Sequence, residues 1–338
     1  MTRKEQSLKR FHTFKINEYA KKIIIIRNIN TLIKIWKTCK KKEISFLILG
    51  EGSNTLFSKY YNGIVAINKI KGIKITETRK NWLIYAKGGV KWHNLVTHTL
   101  NVGIYGLENL AFIPGTVGAA PIQNIGAYGL EFKDICDYIE IFSLTYRNVI
   151  KIKNKYCMFK YRDSIFKNAN YYNYIILAVG IKLPKKWIPN VSYLSLQNLD
   201  RNNLTAYTIF NHIKRIRNEK FPNLNIIGHA GSFFKNPIIN KNCAKKLLFK
   251  YKNLPNYPES NNNIKISAGW LIEQCQLKGY SIGGAQVCQN QALVLINKYK
   301  ATAKDVLTLA NIVQNKVKQK FNIFLELEIK IIENNNIN

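Results

Sequence analysis

The stretch YRDSIFK, from Tyr161 to Lys167, places a phenol, a guanidinium, a carboxylate, a hydroxyl and an ammonium in close succession. An arginine between a tyrosine and an aspartate most often forms a surface ion pair that contributes little to stability. The other interpretation is a site where negative charge develops during a reaction, because the guanidinium of Arg162 is permanently charged and can bind a carboxylate through two hydrogen bonds. Taken alone, the stretch favours the surface ion pair.

A first glycine-containing segment, LGEGSN at residues 49–54, could bind a cofactor. Its glycines permit positive φ, and successive backbone N–H groups in such a turn can form a concave anion site. It is neither common phosphate-binding motif, because Thr55 stands where G-x-G-x-x-G requires its third glycine. A tight turn without a ligand is the alternative and the commoner case.

A second glycine segment, IPGTVGAAPIQNIGAYG at residues 113–129, combines four glycines with two prolines that fix φ. Side-chain burial alone cannot stabilise a long, apolar, glycine-rich loop, so a flat or extended molecule lying along it would account for its composition. The alternative is a glycine-rich crossing through the core. Together the two segments leave cofactor binding and a structural role equally open.

The formal net charge is +33, from 52 basic and 19 acidic residues, which by itself suggests an anionic partner. The lysines are spread along the chain, however, and accompany abundant asparagine, isoleucine and tyrosine, as an A+T-rich coding sequence would produce. The sequence shows no RNA-binding signature or recognition-helix motif. We therefore expect no nucleic-acid partner, and the charge suits phosphorylated small molecules.

The sequence predicts neither a metal site nor an exported protein. The six cysteines contain no C-x-x-C pair, and His93 and His98 miss the i, i+4 spacing of helical metal ligands. No apolar run approaches the roughly 18 residues of a membrane span, and the run at residues 23–26 is too short for a signal peptide. We expect a cytoplasmic protein that does not enter the membrane.

The first half of the chain has the pattern of short strands separated by glycines. Candidate strands lie at residues 46–49, 64–67 and 82–85. The apolar runs at residues 139–142 and 149–152 flank a turn, which predicts a β-hairpin.

The second half contains clearer helix signals. Ser267 precedes AGWLIEQCQLKG and could cap the start of a helix that Gly279 ends. Thr302-x-x-Asp305 resembles a capping box, and the apolar residues after it recur at helical spacing. These apolar residues are Val306, Leu309, Ala310, Val313 and Val317.

The C-terminal stretch FNIFLELEIKII alternates apolar and mostly polar residues, which predicts a strand with one apolar face. The Asn-rich tail beyond Glu333 is predicted to be disordered. A chain of 338 residues can form two domains, and the prolines near residues 184–189 indicate a boundary. The whole pattern predicts an α+β fold with mixed or antiparallel sheets.

The motifs LGEGSNTLF, GLENLAFIPGTVGAAPIQNIGAYG, YRDSIFK, GHAGSFFKNP, AGWLIEQCQLKG and LELEIK occur in this order. Together they resemble the UDP-N-acetylenolpyruvoylglucosamine reductase family over nearly the full chain, from about Phe11 to Ile332. Each motif is weak alone, but their order over this length is specific. The tract LPNYP further resembles the loop that closes over substrate in the longer, type I class of the family, with Tyr257 as its tyrosine.

The resemblance implies an α+β protein with an FAD-binding domain of the vanillyl-alcohol-oxidase (PCMH) type at residues 14–186, in subdomains at about 14–70 and 71–186. A substrate-binding domain would occupy residues 200–333. The implied activity is that of a monomeric, NADP-dependent oxidoreductase of peptidoglycan precursor synthesis, UDP-N-acetylmuramate dehydrogenase. The alternative is another FAD-dependent oxidoreductase on the same fold, because a fold does not determine the chemistry.

In this family NADPH reduces the flavin, which then passes hydride to the vinyl carbon of the enolpyruvyl ether of UDP-N-acetylglucosamine. By motif, the resemblance implies that FAD contacts Leu49, Gly50, Glu51, Gly52, Ser53, Asn54, Ile113, Pro114, Gly115, Thr116, Gly118, Gly126 and Tyr128. It implies that the substrate contacts Tyr161, Tyr193, Lys220, Asn236, Tyr257, Gln291 and Lys330.

The resemblance assigns the chemistry to Arg162, Ser232 and Glu328. Hydride addition pushes negative charge onto the substrate carboxylate, which Arg162 would stabilise. Glu328 would act in its protonated form, because one carboxylate tolerates another only when a proton is shared. Ser232 would donate the proton and, as a poor acid, would depend on fixed geometry and neighbours. The loop around the arginine would be fixed by Asp163, Ser164 and Lys167.

Two positions within the motifs depart from the family pattern. His229 stands where asparagine is usual, close to Ser232. Lys330 replaces an arginine, which keeps the charge but loses the planar fork. Neither change replaces a residue assigned to the chemistry, so the predicted activity is retained.

Overall fold

The computed structural model describes residues 5–143, 145–168, 174–259 and 261–333. These residues form two compact units, each of which combines segments that are distant in the sequence. The terminal unit consists of the described residues within 5–21, 52–61 and 219–333, and the middle unit of those within 22–51 and 62–218. Compact units of a structure need not coincide with the domains that a family resemblance implies, so the predicted domain bounds stay a prediction.

The described part of the chain contains seven α-helices and twenty strands. The helices are α1 (Ile29–Lys41), α2 (Trp92–Asn101), α3 (Phe132–Ile135), α4 (Ala206–Lys220), α5 (Lys241–Lys250), α6 (Ala268–Gln274) and α7 (Ala303–Phe321). The strands of the first half are β1 (Gln6–Ser7), β2 (Tyr19–Ile26), β3 (Ser45–Leu49), β4 (Thr55–Phe57), β5 (Tyr61–Asn68), β6 (Ile73–Glu77), β7 (Asn81–Lys87), β8 (Gly126–Ala127), β9 (Leu130–Glu131), β10 (Cys136–Ser143) and β11 (Val149–Lys153). The later strands are β12 (Tyr174–Pro184), β13 (Gly228–Ser232), β14 (Ile238–Asn240), β15 (Asn256–Glu259), β16 (Asn263–Ile266), β17 (Ser281–Ile282), β18 (Ala285–Val287), β19 (Val294–Asn297) and β20 (Lys330–Ile332).

The middle unit is built on a five-stranded antiparallel sheet in the order β11-β10-β12-β7-β6. The predicted hairpin is confirmed, since Ile139 pairs with Ile152 and Phe142 pairs with Val149. In a second sheet β3 and β5 pair in parallel, and β2 is the other neighbour of β5. The strands predicted within β3, β5 and β7 are confirmed as well.

The main core of the middle unit packs apolar residues of the five-stranded sheet with those of α2, α4 and the second glycine segment. Trp92, at the start of α2, is buried and donates from Nε1 to the Leu110 carbonyl at 2.9 Å. Val117 and Ile125, in the glycine segment, belong to the same core. Burial of Val117 and Ile125 therefore anchors this loop in the core.

The terminal unit contains a four-stranded antiparallel sheet, β13-β19-β18-β17, a three-stranded antiparallel sheet, β14-β16-β15, and the parallel pair β4–β20. The predicted capping box of α7 is confirmed by reciprocal hydrogen bonds between Thr302 and Asp305. The bond from the Thr302 backbone N–H lowers the pKa of the Asp305 carboxyl. The apolar residues predicted for the inner face of α7 are all buried.

One helix end was predicted wrongly. Ser267 caps the start of α6 as predicted, but the helix ends at Gln274 and not at Gly279. Gln276 already has a positive φ of 57°. The Gly279 N–H donates to the Val287 carbonyl at 2.9 Å, so this glycine pairs with a strand after the chain has left the helix.

The predicted C-terminal strand is shorter than expected. Side chains alternate between buried and exposed from Ile323 to Glu326, but within the described residues of this stretch ladder pairing occurs in β20 and in an isolated bridge between Phe234 and Leu327. Alternating burial requires only an extended chain on an apolar surface, whereas a strand also requires a partner backbone in register. The tail predicted to be disordered lies outside the described residues. The mixed and antiparallel sheets and the helices confirm the α+β class.

Thr302→Ala should lower the free energy of unfolding by about 1 kcal/mol, because it removes the side-chain acceptor for the Asp305 N–H at the start of α7. Urea unfolding followed by circular dichroism measures this. Thr308→Ala is the matched control, because Thr308 is exposed inside the same helix, where alanine is the better helix former. Equal losses in the two variants would contradict the capping role.

Candidate active site

Glu51 connects the two glycine segments in the middle unit. One carboxylate oxygen accepts a hydrogen bond from the Gly115 N–H at 2.9 Å, and the other lies 2.8 Å from Lys91 Nζ. A carboxylate in a turn that is expected to bind pyrophosphate would repel the pyrophosphate. The ion pair with Lys91 offsets the negative charge of Glu51. The residues present therefore fit a phosphate-containing cofactor.

The same two segments approach closely at Gly50. A Cβ at Gly50 would lie 2.4 Å from Thr116 Oγ1, so any larger residue would displace the second segment. Ile113 and Pro114, just before this contact, are half-buried. The structure thus brings together a group of the residues predicted to bind FAD, namely Leu49, Gly50, Glu51, Ile113, Pro114, Gly115 and Thr116.

Gly118 has a structural role that requires no cofactor. Its N–H donates to the Gly88 carbonyl at 3.0 Å, and a Cβ at Gly118 would lie 3.0 Å from Gly88 Cα. In the terminal unit Gly52 has a positive φ of 58°, and a Cβ there would lie 2.5 Å from His12 Cβ. Part of the glycine pattern is therefore explained by close packing, which was the alternative interpretation.

Arg162 has a left-handed backbone conformation with φ of 51°. A residue with a side chain adopts it at a cost of roughly 1–3 kcal/mol, and such residues are concentrated at functional sites. Arg162 Nη2 donates to the Gly126 carbonyl at 3.1 Å, and the guanidinium carbon lies 5.4 Å from the centroid of the Tyr161 ring. The structure therefore brings Tyr161 and Arg162 to the second glycine segment.

The remaining polar residues of YRDSIFK hold this loop in place. Ser164 Oγ donates to the Ile122 carbonyl at 2.7 Å, and Lys167 Nζ donates to the Arg162 carbonyl at 2.5 Å. Asp163 closes a turn through backbone hydrogen bonds with Lys160. Ser164 and Lys167 therefore fix the loop through their side chains, as predicted, whereas the bonds shown for Asp163 come from its backbone.

Arg217 was not predicted from the sequence, yet it lies beside Tyr128. Its side chain, on α4, is hydrogen-bonded to the Tyr128 side chain, and burial lowers the pKa of Arg217. The Tyr128 ring packs edge-to-face against Tyr193, with centroids 5.5 Å apart. The sequence contained a signal for this residue. Ile213 and Ile216 mark the inner face of α4, and Arg217 lies next to that face. An arginine in such a position requires a polar partner.

In the terminal unit the structure brings Ser232 and Glu328 onto adjacent backbone segments. The Glu328 N–H donates to the carbonyl of Phe233, the residue after Ser232, at 2.9 Å. Asn54 Nδ2 donates to the Glu328 carbonyl at 3.0 Å, and the Lys330 N–H donates to the Asn54 carbonyl at 2.9 Å. Asn54 therefore positions the backbone that carries Glu328.

Two predicted substrate residues meet at the start of α6. Asn236 Oδ1 accepts from the Ala268 N–H at 2.9 Å, and Gln291 Oε1 lies 3.0 Å from the position of a Cβ at Gly269. The middle unit carries Gly126, Tyr128, Tyr161, Arg162 and Tyr193, whereas the terminal unit carries Gly52, Ser53, Asn54, Lys220, Ser232, Asn236, Tyr257, Gln291, Glu328 and Lys330. The roles of all these residues stay predictions.

The chain is similar to known proteins both in its parts and over nearly its whole length. The model of an FAD binding domain matches residues 20–146, and that of the UDP-N-acetylenolpyruvoylglucosamine reductase C-terminal domain matches residues 222–332. The chain is 57% identical over 327 residues to UDP-N-acetylenolpyruvoylglucosamine reductase of Buchnera aphidicola subsp. Baizongia pistaciae, covering 96% of this chain and 98% of that protein. The chain belongs to the UDP-N-acetylenolpyruvoylglucosamine reductase family.

Further members of this reductase family support the assignment. The chain is 46% identical over 328 residues to the enzyme of Pasteurella multocida, covering 97% of this chain and 96% of that protein. The crystal structure of the Thermus caldophilus enzyme has the same fold, with a TM-score of 0.68 at 22% identity over 98% of each chain. The predicted fold class, the FAD cofactor and the class of enzyme, an FAD-containing oxidoreductase, are thereby confirmed.

No helix in the described ranges is both long enough and apolar enough to cross a membrane. Among those same residues, no three or more histidine, cysteine, aspartate or glutamate side chains are grouped to hold a metal ion. The monomeric state and the cytoplasmic location stay predictions.

Glu51→Ala should raise the dissociation constant for FAD about 5- to 100-fold, because the Gly115 N–H loses its acceptor and the two glycine segments separate. Titration of the apoprotein with FAD, followed by flavin fluorescence, measures this. Glu77→Ala is the control, since it removes an exposed ion pair with Lys185 in the same unit. Unchanged FAD affinity in Glu51→Ala would contradict the assignment.

Proposed function

We propose that this chain is a UDP-N-acetylmuramate dehydrogenase, which uses FAD and NADPH to reduce UDP-N-acetyl-3-O-(1-carboxyvinyl)-glucosamine to UDP-N-acetylmuramate for peptidoglycan synthesis. The observation that carries the proposal is the sequence similarity to reductases of this family, which extends over nearly the full chain. Arg162, Ser232 and Glu328 stand at the motif positions to which the family resemblance assigns the chemistry. The adjacency of the Ser232 and Glu328 backbones supports it further.

The two glycine segments would hold the cofactor. FAD, when bound, accepts two electrons from NADPH and supplies them to the substrate as hydride. The turn at residues 49–54 would receive the pyrophosphate, and Lys91 would offset the charge of Glu51 beside it. Tyr128 and the backbone near Gly126 would face the flavin ring.

Arg162 would bind the substrate carboxylate and stabilise the negative charge that hydride addition places on it. A guanidinium suits this role because it is always charged and its planar fork matches a carboxylate. The strained backbone of Arg162 and its bond to the Gly126 carbonyl hold the guanidinium before substrate arrives. Preorganised charge of this kind commonly lowers a barrier by several kcal/mol.

Ser232 would donate the proton to the carbon next to the one that receives hydride, and Glu328 would share a proton with the substrate carboxylate. Neither group is a strong acid, so both depend on fixed geometry. The backbone contact between Phe233 and Glu328 supplies that constraint for the pair.

The remaining substrate residues would bind the nucleotide and the sugar. Lys220 and Tyr193 would contact the two phosphates of UDP, for which an ammonium and a phenol are suitable donors. The other contacts would come from Tyr161, Asn236, Tyr257, Gln291 and Lys330.

The proposal is tested by anaerobic half-reactions of the purified, FAD-loaded protein. NADPH should bleach the flavin absorbance, and addition of the enolpyruvyl substrate should restore it with formation of one UDP-N-acetylmuramate per flavin. A protein that takes up no FAD, or reduced protein that the enolpyruvyl substrate does not reoxidise, would contradict the proposal.

Arg162→Lys should slow reoxidation by the enolpyruvyl substrate about 100-fold, because the variant keeps a positive charge but loses the two-pronged contact with the carboxylate. Reduction of the flavin by NADPH should change little. Arg147→Lys is a matched control, because Arg147 is exposed in the same unit and also has positive φ, at 56°. Stopped-flow absorbance separates the two steps, and similar reoxidation in both variants would exclude this role for Arg162.

A further inference from the structure

Strand β13 contains an irregularity immediately before Ser232. His229 pairs with Ile296 and Ser232 pairs with Val294, so three steps along β13 match two steps along β19. The extra residue makes this a β-bulge, and Gly231 has the positive φ, 73°, that one common bulge type requires. A bulge interrupts the ladder and redirects the side chain that follows, so its N–H groups need another acceptor.

The acceptor for Gly231 is the ring of His229. The Gly231 N–H donates to His229 Nδ1 at 3.1 Å, and His229 Nε2 lies 3.0 Å from the Pro222 carbonyl. A carbonyl can only accept, so Nε2 carries the hydrogen and Nδ1 keeps its lone pair. Both contacts are thus satisfied by one neutral tautomer of the imidazole.

The imidazole is itself held firmly. His229 is 3% exposed, and its ring stacks on Phe221 at a centroid distance of 6.2 Å and an angle of 27°. In contrast, among the described residues other than its chain neighbours, no heavy atom lies within 4 Å of the position of a Cβ on Gly231. Side-chain packing therefore does not fix this side of the bulge, whereas the hydrogen bond to His229 Nδ1 constrains the Gly231 peptide directly.

We propose that His229 is a positioning residue whose Nδ1 fixes the bulge at Gly231 and thereby aims Ser232; this inference rests on the proposed proton-donor role of Ser232. The contact spans residues i and i+2, as in an Asx-turn, where an Asn or Asp oxygen accepts from the backbone N–H two residues on. Histidine thus reproduces, through Nδ1, the contact that an asparagine at position 229 would make through Oδ1.

Losing this acceptor would let the Gly231 peptide turn and would move Ser232. Displacing a reacting group by about 1 Å can slow a reaction about 100-fold. Only the step that uses the Ser232 proton should suffer, because flavin reduction by NADPH does not require that proton.

Two amide variants of the full-length, FAD-loaded enzyme provide the test. In His229→Asn, Oδ1 replaces Nδ1 as the acceptor for Gly231, whereas in His229→Gln the longer side chain places its amide near the Nε2 position, toward Pro222. Stopped-flow absorbance should show reoxidation by the enolpyruvyl substrate slowed about 10- to 100-fold in His229→Gln and within a few-fold of the parent in His229→Asn. Reduction by NADPH should be similar in both.

Ser232→Ala is the reference for the donor role. With alanine at position 232, His229→Gln should slow reoxidation no further, because the group that it misplaces is absent. Equal reoxidation rates in His229→Asn and His229→Gln, with a slow Ser232→Ala, would overturn the inference about His229 alone. A Ser232→Ala variant as fast as the parent would overturn both the inference and the donor role.

Discussion

The hydrogen bond from the Glu328 N–H to the Phe233 carbonyl is the contact on which the geometry of the terminal unit's part of the site depends. It joins segments that are far apart in the sequence, and α7, which lies between them in the chain, packs its apolar face into the core that these segments share. Asn54 adds a second constraint through the Glu328 carbonyl. The hydrogen bond between Glu328 and Phe233 is made by backbone groups. The spacing of the Ser232 and Glu328 backbones therefore does not depend on the conformations of their side chains.

In the middle unit the corresponding constraint is electrostatic. With 52 basic and 19 acidic residues in the chain, an acidic residue in a predicted phosphate-binding turn requires an explanation. Glu51 provides one, since its two oxygens connect Gly115 and Lys91, and it is a structural link between the segments. Arg162 has a different arrangement, because its guanidinium donates to a backbone carbonyl, that of Gly126.

Features with a clear local sequence pattern were predicted, whereas features that depend on the exact backbone path or on distant contacts were not. The hairpin of β10 and β11 and the capping box of α7 need only local patterns. The end of α6 was wrong because Gln276 takes the left-handed conformation before Gly279 is reached. Arg217 was missed because its hydrogen-bond partner, Tyr128, lies on another element, and the local signal on α4 does not name that partner. His229 was identified as a departure, but its role as an acceptor requires the bulge in β13, which the sequence pattern did not predict.

The glycines show why composition left two interpretations open. Close packing and ligand access both require backbone that no side chain covers, so they produce the same sequence pattern. Their neighbours in the structure separate the two cases. Gly118 and Gly52 are enclosed by other parts of the protein, whereas Gly231 has open space at its Cβ position. That open side adjoins Ser232, the proposed proton donor, and a hydroxyl can protonate a substrate carbon only where the substrate can reach it.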